Sequence, residues 1–214
     1  MKIAILGSGD VGQTLGMGFA GFGHTVRMGS RTPRSDTVMS WKSRTGSLAS
    51  SGTYAEASAF CQVAVLATAW SGTENAIRLA GPENLVGKVV IDVTIPLQYA
   101  SDDLPSLTLG HTNSGGEEVQ RWLPRSDVVK AFNIVGFAHM VHPMFPGGPP
   151  DMFICGNDSA AKETVAGFLK DFGWPVVDIG GIKGARLLES LALLWILHGI
   201  RTKTWDHAFK LLKK

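Results

Sequence analysis

The chain has 214 residues, 44% of them hydrophobic, and a formal net charge of +2. This length allows one well-packed core plus a small additional unit. The nearly balanced charge gives no basic field, so we expect neither a nucleic acid nor a membrane as a partner. The apolar run that starts at Ile3 is too short for a signal peptide. Cys61 and Cys155 lie far apart in strand-like runs, which indicates buried thiols in a cytoplasmic protein.

A glycine-rich turn follows the first apolar run and precedes an apolar-periodic segment that extends to Phe22. The order strand, G-x-G-x-x-G, helix is typical of a dinucleotide-binding unit, where the pyrophosphate meets free N–H groups at a helix N-terminus. An ordinary glycine turn is the alternative. The residues expected to hold the pyrophosphate are Gly7, Ser8, Gly9, Asp10, Val11 and Gly12.

The end of the predicted second strand, His24 to Met28, indicates which dinucleotide is bound. NAD-binding units place a carboxylate there for the ribose 2′-OH, whereas this chain has Ser30 and Arg31. A hydroxyl and a planar guanidinium suit a 2′-phosphate, so the sequence predicts NADP. Arg34 is a second candidate cation for that phosphate, with a solvated loop residue as the alternative.

Further along, short apolar runs alternate with helical patterns, which predicts a doubly wound parallel α/β sheet with right-handed crossovers. Between these elements, 46–52 is predicted as a small-residue loop and 99–113 as a long polar loop. A helix is predicted from Gly115 to Leu123, with Glu117, Glu118, Gln120 and Arg121 on its solvated face. The predicted strands after the second are 61–67, 88–93, 128–132, 152–155 and 175–179.

Ligands of such sheets lie beyond the carboxyl ends of the strands. The candidates there, besides the turn and the arginine loop, are Thr68, Ala69, Trp70, Ile95, Pro96 and Asn133. A Pro/Gly-rich stretch, 143–150, predicts a linker between a Rossmann domain, 1–142, and a small C-terminal α/β unit, 151–214, that completes an acceptor cleft.

Several stretches together resemble the NADP-dependent reductases of the 8-hydroxy-5-deazaflavin coenzyme (coenzyme F420), whose unit also forms the oxidoreductase domain of the STEAP metalloreductases. The matching stretches are 7–12, 29–31, 67–70, 91–94, 129–133, 154–158 and 186–191. The chain departs from the family pattern at Asp10, where the deazaflavin reductases often carry Asn, and at Ile95, often Asn. Thr68-Ala69-Trp70 also lacks the proline often found before the tryptophan.

The resemblance implies a Rossmann domain with a small C-terminal domain, a homodimer, and direct hydride transfer between nicotinamide and a flavin-like ring. It implies that residues 8–11, Ser30 and Arg31 hold NADP, with the Trp70 loop near the nicotinamide. The acceptor is then coenzyme F420 or a flavin.

The residues themselves leave the chemistry open in one respect. No Ser/His/Asp set and no metal-ligand spacing occurs, and direct hydride transfer needs no catalytic side chain, since the protein supplies orientation and electrostatics. Two alternatives to a flavin-type reductase remain, namely an imine or carbonyl reductase and an NADP(H)-binding redox sensor without turnover.

Overall fold

The computed structural model describes residues 1–99, 104–212 and 214. The strands of this part are β1 Lys2–Leu6, β2 Thr25–Gly29, β3 Ala49–Gly52, β4 Val63–Leu66, β5 Val89–Asp92, β6 Leu97–Gln98, β7 Ser106–Leu107, β8 Asp127–Lys130, β9 Met152–Gly156 and β10 Val176–Asp178. The helices are α1 Asp10–Gly21, α2 Asp36–Thr45, α3 Tyr54–Phe60, α4 Trp70–Ala80, α5 Gly115–Trp122, α6 Ser159–Asp171 and α7 Ala185–Thr202. Short 3₁₀ helices occupy Pro82–Leu85, Phe137–His139 and Ile182–Gly184.

The main sheet has the strand order β3-β2-β1-β4-β5-β8-β9-β10. Pairing is parallel from β3 through β8, antiparallel between β8 and β9, and parallel again between β9 and β10. The direction of winding reverses between β1 and β4, which is the crevice where such sheets bind ligands. The predicted doubly wound parallel sheet is confirmed.

The central strands are buried on both faces because helices cover each side. In β1, Ile3 and Ile5 pack into the core on one face, while Ala4 and Leu6 pack into the core on the other. This alternation follows from the period of two in a strand, and it explains why the sequence shows continuous apolar runs.

Three predictions between the core elements are wrong. The predicted loop at 46–52 contains β3, which pairs with β2 although its sequence, ASSG, has low strand propensity. The predicted polar loop at 99–113 contains β7, which pairs with β6 in a two-stranded antiparallel ribbon, while 100–103 lie outside the described residues. Glu117 is buried, because an arginine from α7 covers it.

The C-terminal segment continues the same sheet through β9 and β10. The indole of Trp174 donates to the carbonyl of Met140, and the chain end returns so that the N–H of Leu211 donates to Asp151. The division at 143–150 stays a prediction. No helix within the described ranges has the length and apolar character needed to cross a membrane.

Candidate functional site: a dinucleotide groove beside an apolar cavity

The three glycines of the turn lie in different environments, and not all of them are required by the fold itself. Gly7 has φ +132°, and a Cβ there would lie 2.3 Å from the carbonyl oxygen of Ala67. A Cβ on Gly12 would lie 2.3 Å from the carbonyl oxygen of Gly7. Gly9 has an ordinary extended backbone, and a Cβ there would meet no protein atom within 4 Å. The protein itself therefore needs Gly7 and Gly12, whereas the space beside Gly9 is open and faces the groove.

The helix N-termini at this edge are available for anion binding. Helices α1 and α4 begin at Gly9 and Ala69 as N-caps, and neither has a side-chain cap. Four other helices are capped by side chains, namely by Ser35, Thr53, Ser114 and Asp158. Helix α7 also lacks a side-chain cap, but α1 and α4 are the two that border the crevice between β1 and β4. Their free N–H groups and positive dipole ends therefore suit a pyrophosphate.

A groove of about 430 Å³ runs from this turn to the end of β2. Ser30, Arg31 and Thr32 line its far end. The N–H of Thr32 donates to the Ser30 hydroxyl over 2.9 Å, which leaves the hydroxyl proton of Ser30 for an acceptor in the groove. Arg31 is exposed, and its charge opposes the burial that raises the pKa of Tyr54, another lining residue. This end of the groove therefore fits a phosphate group.

Arg34 lies outside the groove. It lines a neighbouring depression together with Thr32 and Glu56, and only Thr32 belongs to both. Arg34 follows Ser30 and Arg31 closely in the chain, but it does not lie with them in the groove.

A second cavity of about 560 Å³ adjoins the groove. The wall they share is formed by Gly9, Ser71 and the end of β4 at 67–69. Beyond this wall the lining is mainly apolar, with Asp10 as its charged member among the described residues. The side chains of that part are Asp10, Val11, Trp70, Val93, Thr94, Ile95, Leu97, Tyr99 and Phe137.

The remaining strand-end candidates lie behind this cavity. Pro96 is buried, and its carbonyl accepts hydrogen bonds from the N–H and the hydroxyl of Thr108 at 2.7 and 3.1 Å. Asn133 is buried, and its amide donates to the carbonyl of Leu188 over 3.0 Å. Neither side chain lines the groove or the cavity. The structure thus places Ile95 at the cavity and uses Pro96 and Asn133 to fix the loops around it.

Trp70 and Phe137 both bring aromatic rings to the cavity lining. Trp70 stacks on Trp122 of α5, with ring centroids 5.6 Å apart and planes inclined by 26°. Phe137 begins the 3₁₀ helix after β8 and is half exposed. The sequence did not indicate Phe137 as a site residue, because it lies several residues beyond the end of β8.

A buried ion cluster below the cavity was also missed. The Nζ of Lys130 lies 2.8 Å from Asp92, 2.8 Å from Glu189 and 2.7 Å from the carbonyl oxygen of Thr94, and all three side chains are buried. Burial acts to lower the pKa of Lys130, but the two carboxylates outweigh it and raise that pKa. The signal in the sequence that could have indicated this cluster is the charged residue at the end of each of two apolar strand runs, Asp92 and Lys130.

Glu189 also connects two helices. Its carboxylate accepts the N–H groups of Gly115 and Gly116, each over 2.9 Å, at the start of α5. Because Glu189 is on α7, the cluster joins the carboxyl ends of β5 and β8 to both helices. The cluster therefore fixes Thr94, and with it one wall of the cavity.

Other reactive groups do not form a second centre. Cys61 and Cys155 are buried free thiols, and burial raises the pKa of Cys155 to about 12, so its thiolate is not formed at neutral pH. His139 contacts Asp206 at 3.0 Å, on the surface. Within the described parts of the chain, no three His, Cys, Asp or Glu side chains are grouped in a way that could hold a metal ion.

Comparisons with known proteins agree with this architecture. Residues 2–96 match the family model described as NADP oxidoreductase, coenzyme F420-dependent. Metalloreductase STEAP3 of Rattus norvegicus is 30% identical over 193 residues, which cover 90% of this chain and 36% of that protein. The F420-dependent NADP reductase of Methanocaldococcus jannaschii is 32% identical over 124 residues, 57% of this chain and 55% of that one. This chain therefore spans only part of the curated relatives that it matches.

Solved structures extend the match over the whole chain. A protein from Arthrobacter sp. FB24, assigned as an F420-dependent NADP reductase, superposes with a TM-score of 0.94 at 35% identity and full coverage of both chains. The imine reductase of Myxococcus stipitatus in complex with NADP⁺ gives a TM-score of 0.66 at 18% identity and shares the fold alone. The ordered motifs, the glycine turn and this full-length match show that the chain belongs to the coenzyme F420-dependent NADP oxidoreductase family, a family of NADP-dependent oxidoreductases.

Proposed function

We propose that this protein transfers a hydride directly between NADP(H) and a fused-ring acceptor of the flavin or deazaflavin kind. The observation that supports it is the shared wall between the groove and the apolar cavity, formed by Gly9, Ser71 and 67–69. A dinucleotide that lies along the groove ends at this wall, and a ring in the cavity meets it from the other side. Hydride transfer needs the reacting carbons about 3–3.5 Å apart, which two stacked rings provide.

NADP fits the groove through three separate features. Gly9 leaves room for the pyrophosphate, and the uncapped helices α1 and α4 supply N–H donors for it. Ser30 and Arg31 supply a hydroxyl proton and a guanidinium for the 2′-phosphate. NADPH, when bound, supplies the hydride. The residues that we propose for NADP along the groove and its turn are Gly7, Ser8, Gly9, Gly12, Ser30, Arg31, Thr68 and Ala69, with Arg34 at the periphery. Asp10, Val11 and Trp70 lie where the nicotinamide half would meet the cavity, and Ile95, Pro96 and Asn133 lie on the acceptor side.

The second cavity fits a fused ring. Its volume of about 560 Å³ lies within the range of small-molecule sites, roughly 300–1,000 Å³. Its apolar and aromatic lining desolvates a ring and lets it stack. The acceptor we propose is coenzyme F420 or a flavin, and the protein contributes orientation and electrostatics rather than a catalytic acid or base.

Steady-state oxidation of NADPH with a panel of acceptors tests the proposal. The panel contains coenzyme F420, FMN, riboflavin, cyclic imines and small carbonyl compounds, each with and without protein. We expect turnover with at least one fused-ring acceptor and none with imines or carbonyls. Turnover of an imine alone supports the imine reductase instead, and tight NADPH binding without any turnover supports the redox sensor. The Gly9→Val variant is the control, because its side chain obstructs the groove. Any oxidation of NADPH that this variant still shows does not depend on binding in the groove.

We also propose a homodimer in the cytoplasm. On α7, Leu187 and Leu194 are exposed by 70% and 56% and lie seven residues apart on one helix face, which suits a second copy. The two free buried thiols suit a reducing compartment. Sedimentation of the native protein and of the double variant Leu187→Ser, Leu194→Ser tests the dimer. A native protein that sediments as a monomer at high concentration contradicts it.

A further inference from the structure

The acceptor cavity has an unusual charge pattern for a site next to a phosphate groove. Among the described residues that line it, Asp10 is the acidic side chain and is exposed, and none is Lys, Arg or His. Asp10 is the first residue of α1 and lines the cavity but not the groove. Its carboxylate therefore belongs to the acceptor side of the shared wall.

The ion cluster below the cavity adds to this negative field. Thr94 lines the cavity, and its N–H and hydroxyl both donate to Asp92, over 2.9 and 2.7 Å. The cluster holds two carboxylates and one ammonium, Asp92, Glu189 and Lys130, so its formal charge is −1. The start of α5 offsets Glu189 only in part, since a helix N-terminus carries about half a positive charge.

The positive helix ends do not reverse this field when the groove is filled. Helices α1 and α4 present about half a charge each, but the pyrophosphate of NADP engages these N–H groups and brings negative charge of its own. With NADP in place, the cavity faces Asp10, the cluster and the nucleotide phosphates. A negative charge on an acceptor ring that lies against Asp10 is then repelled at short range, with an effective dielectric between that of water and that of the protein interior.

We propose that this cavity selects its acceptor by ring charge. It takes an uncharged fused ring, such as an isoalloxazine or an unsubstituted 5-deazaisoalloxazine, and it rejects a ring that carries an ionised oxygen. Asp10 is the specificity-determining residue. The inference rests on the proposed function. It narrows the proposed acceptors from flavins and deazaflavins in general to those whose ring is uncharged. The transferred hydride carries two electrons from NADPH to the central ring of the acceptor, and solvent supplies the proton that completes the reduction.

A matched pair of acceptors tests the selection. 7,8-Didemethyl-5-deazariboflavin and its 8-hydroxy derivative have the same ring system and side chain, but only the second has a ring hydroxyl group that ionises. We measure kcat/KM for both with saturating NADPH between about pH 5.5 and 8.5. For the hydroxylated ring relative to the unsubstituted ring, we expect kcat/KM to fall about tenfold as the hydroxyl loses its proton. A ratio that stays constant across this range overturns the proposal.

Variants identify the residue responsible. Asp10→Asn removes the charge and is expected to reduce the tenfold discrimination to about threefold or less, because the ion cluster remains. Asp10→Glu keeps the charge and the discrimination. The matched control is Asp36→Asn, which changes the exposed first residue of α2 at the same helical position but away from the cavity, and leaves the ratio unchanged. An Asp10→Asn variant with native discrimination refutes the assignment to Asp10.

Binding separates this inference from the proposed function. Fluorescence titration of each ring into protein saturated with NADP⁺ measures binding without turnover. The same NADP⁺ charge is present in the native protein and in Asp10→Asn, so the ratio of their affinities for a ring reports the effect of Asp10 alone. Weaker binding of the ionised ring, restored in Asp10→Asn, supports charge selection even if no acceptor is reduced. Absence of turnover then counts against the proposed function alone. Equal affinities of the two rings for both proteins count against the inference.

Discussion

At the scale of single residues, the glycine turn separates what the fold needs from what a ligand needs. A side chain on Gly7 or Gly12 would collide with backbone oxygen atoms, whereas the space beside Gly9 is empty. Ser30 shows a similar separation, because its oxygen accepts an N–H from its own loop while its proton is left for the groove. These local details support the proposed phosphate site beyond what the motif alone does.

The first prediction concerns Arg31. We expect the native protein to prefer NADPH over NADH, and Arg31→Ala to lose most of that preference. One charge-assisted contact is worth about 1.5–3 kcal/mol, or roughly ten- to a hundredfold in affinity. Arg34→Ala, in the neighbouring depression, is the comparison and changes the preference less. Dissociation constants from fluorescence titration check both, and equal constants for the two nucleotides in the native protein contradict the 2′-phosphate assignment.

The second prediction concerns Gly9. Gly9→Val places a branched side chain in the space that we propose for the pyrophosphate, so NADPH binding is expected to be lost. The fold is expected to persist, because the residue has an ordinary extended backbone and no close neighbour. The matched control is Gly21→Ala, at another open position near the end of α1. Circular dichroism and calorimetric titration decide: a folded Gly9→Val protein that binds NADPH normally shows that the cradle is elsewhere.

At the scale of elements, α5 and α7 are joined by two separate ionic contacts. Glu117 accepts two hydrogen bonds from Arg186, over 2.8 and 2.6 Å, and Glu189 meets both the start of α5 and Lys130. The first contact is partly open to solvent and the second is fully buried. The two contacts are therefore expected to differ in how much they contribute to stability.

Removal of the Lys130 charge tests the buried contact. Lys130→Met leaves two carboxylates without their cation in the interior, and we expect a loss of about 3–5 kcal/mol in the free energy of unfolding. Lys162→Met is the control, since the partner of Lys162, Asp178, is half exposed and such a pair contributes less than about 1 kcal/mol. Urea denaturation at neutral pH measures both, and similar losses in the two variants argue against a structural role for the cluster.

The Glu117 contact predicts a pH dependence. Hydrogen bonds from Arg186 hold the pKa of Glu117 below its usual range, so this carboxylate stabilises the native state above its unfolded pKa, about 4.3. That stability is lost as the pH falls through the lower folded pKa. Glu117→Gln is therefore expected to be less stable than the native protein at pH 7 and to approach it as the pH falls below about 4. A difference that stays constant across this range excludes the linkage.

At the scale of the whole molecule, one sheet carries residues from distant parts of the chain to a single edge. The end of β4 supplies the wall between groove and cavity, and the chain beyond β8 supplies Phe137 on the acceptor side. The winding of the sheet reverses between β1 and β4, so a crevice opens there, and the groove and the cavity both border it.

Phe137 tests this convergence. Phe137→Ala removes an aromatic contact worth about 0.5–1.5 kcal/mol, so we expect KM for the fused-ring acceptor to rise roughly two- to tenfold. The dissociation constant for NADPH is expected to stay unchanged, since Phe137 does not line the groove. Met144→Ala is the control, as an exposed apolar residue outside both linings. Equal acceptor kinetics in the native protein and Phe137→Ala would place the ring elsewhere.

The sequence by itself determined the alternation of strands and helices, the glycine turn, and the hydroxyl and arginine after β2. These are local signals, because periodicity and turn chemistry depend on neighbouring residues. Only the tertiary structure decided the pairing of β3, the burial of Glu117, the cluster around Lys130 and the place of Phe137 at the cavity. Each of these depends on partners distant in the chain: β2 for β3, Arg186 for Glu117, and Glu189 for Lys130. No local pattern encodes such long-range contacts, so only the folded chain brings the ion cluster beside the cavity.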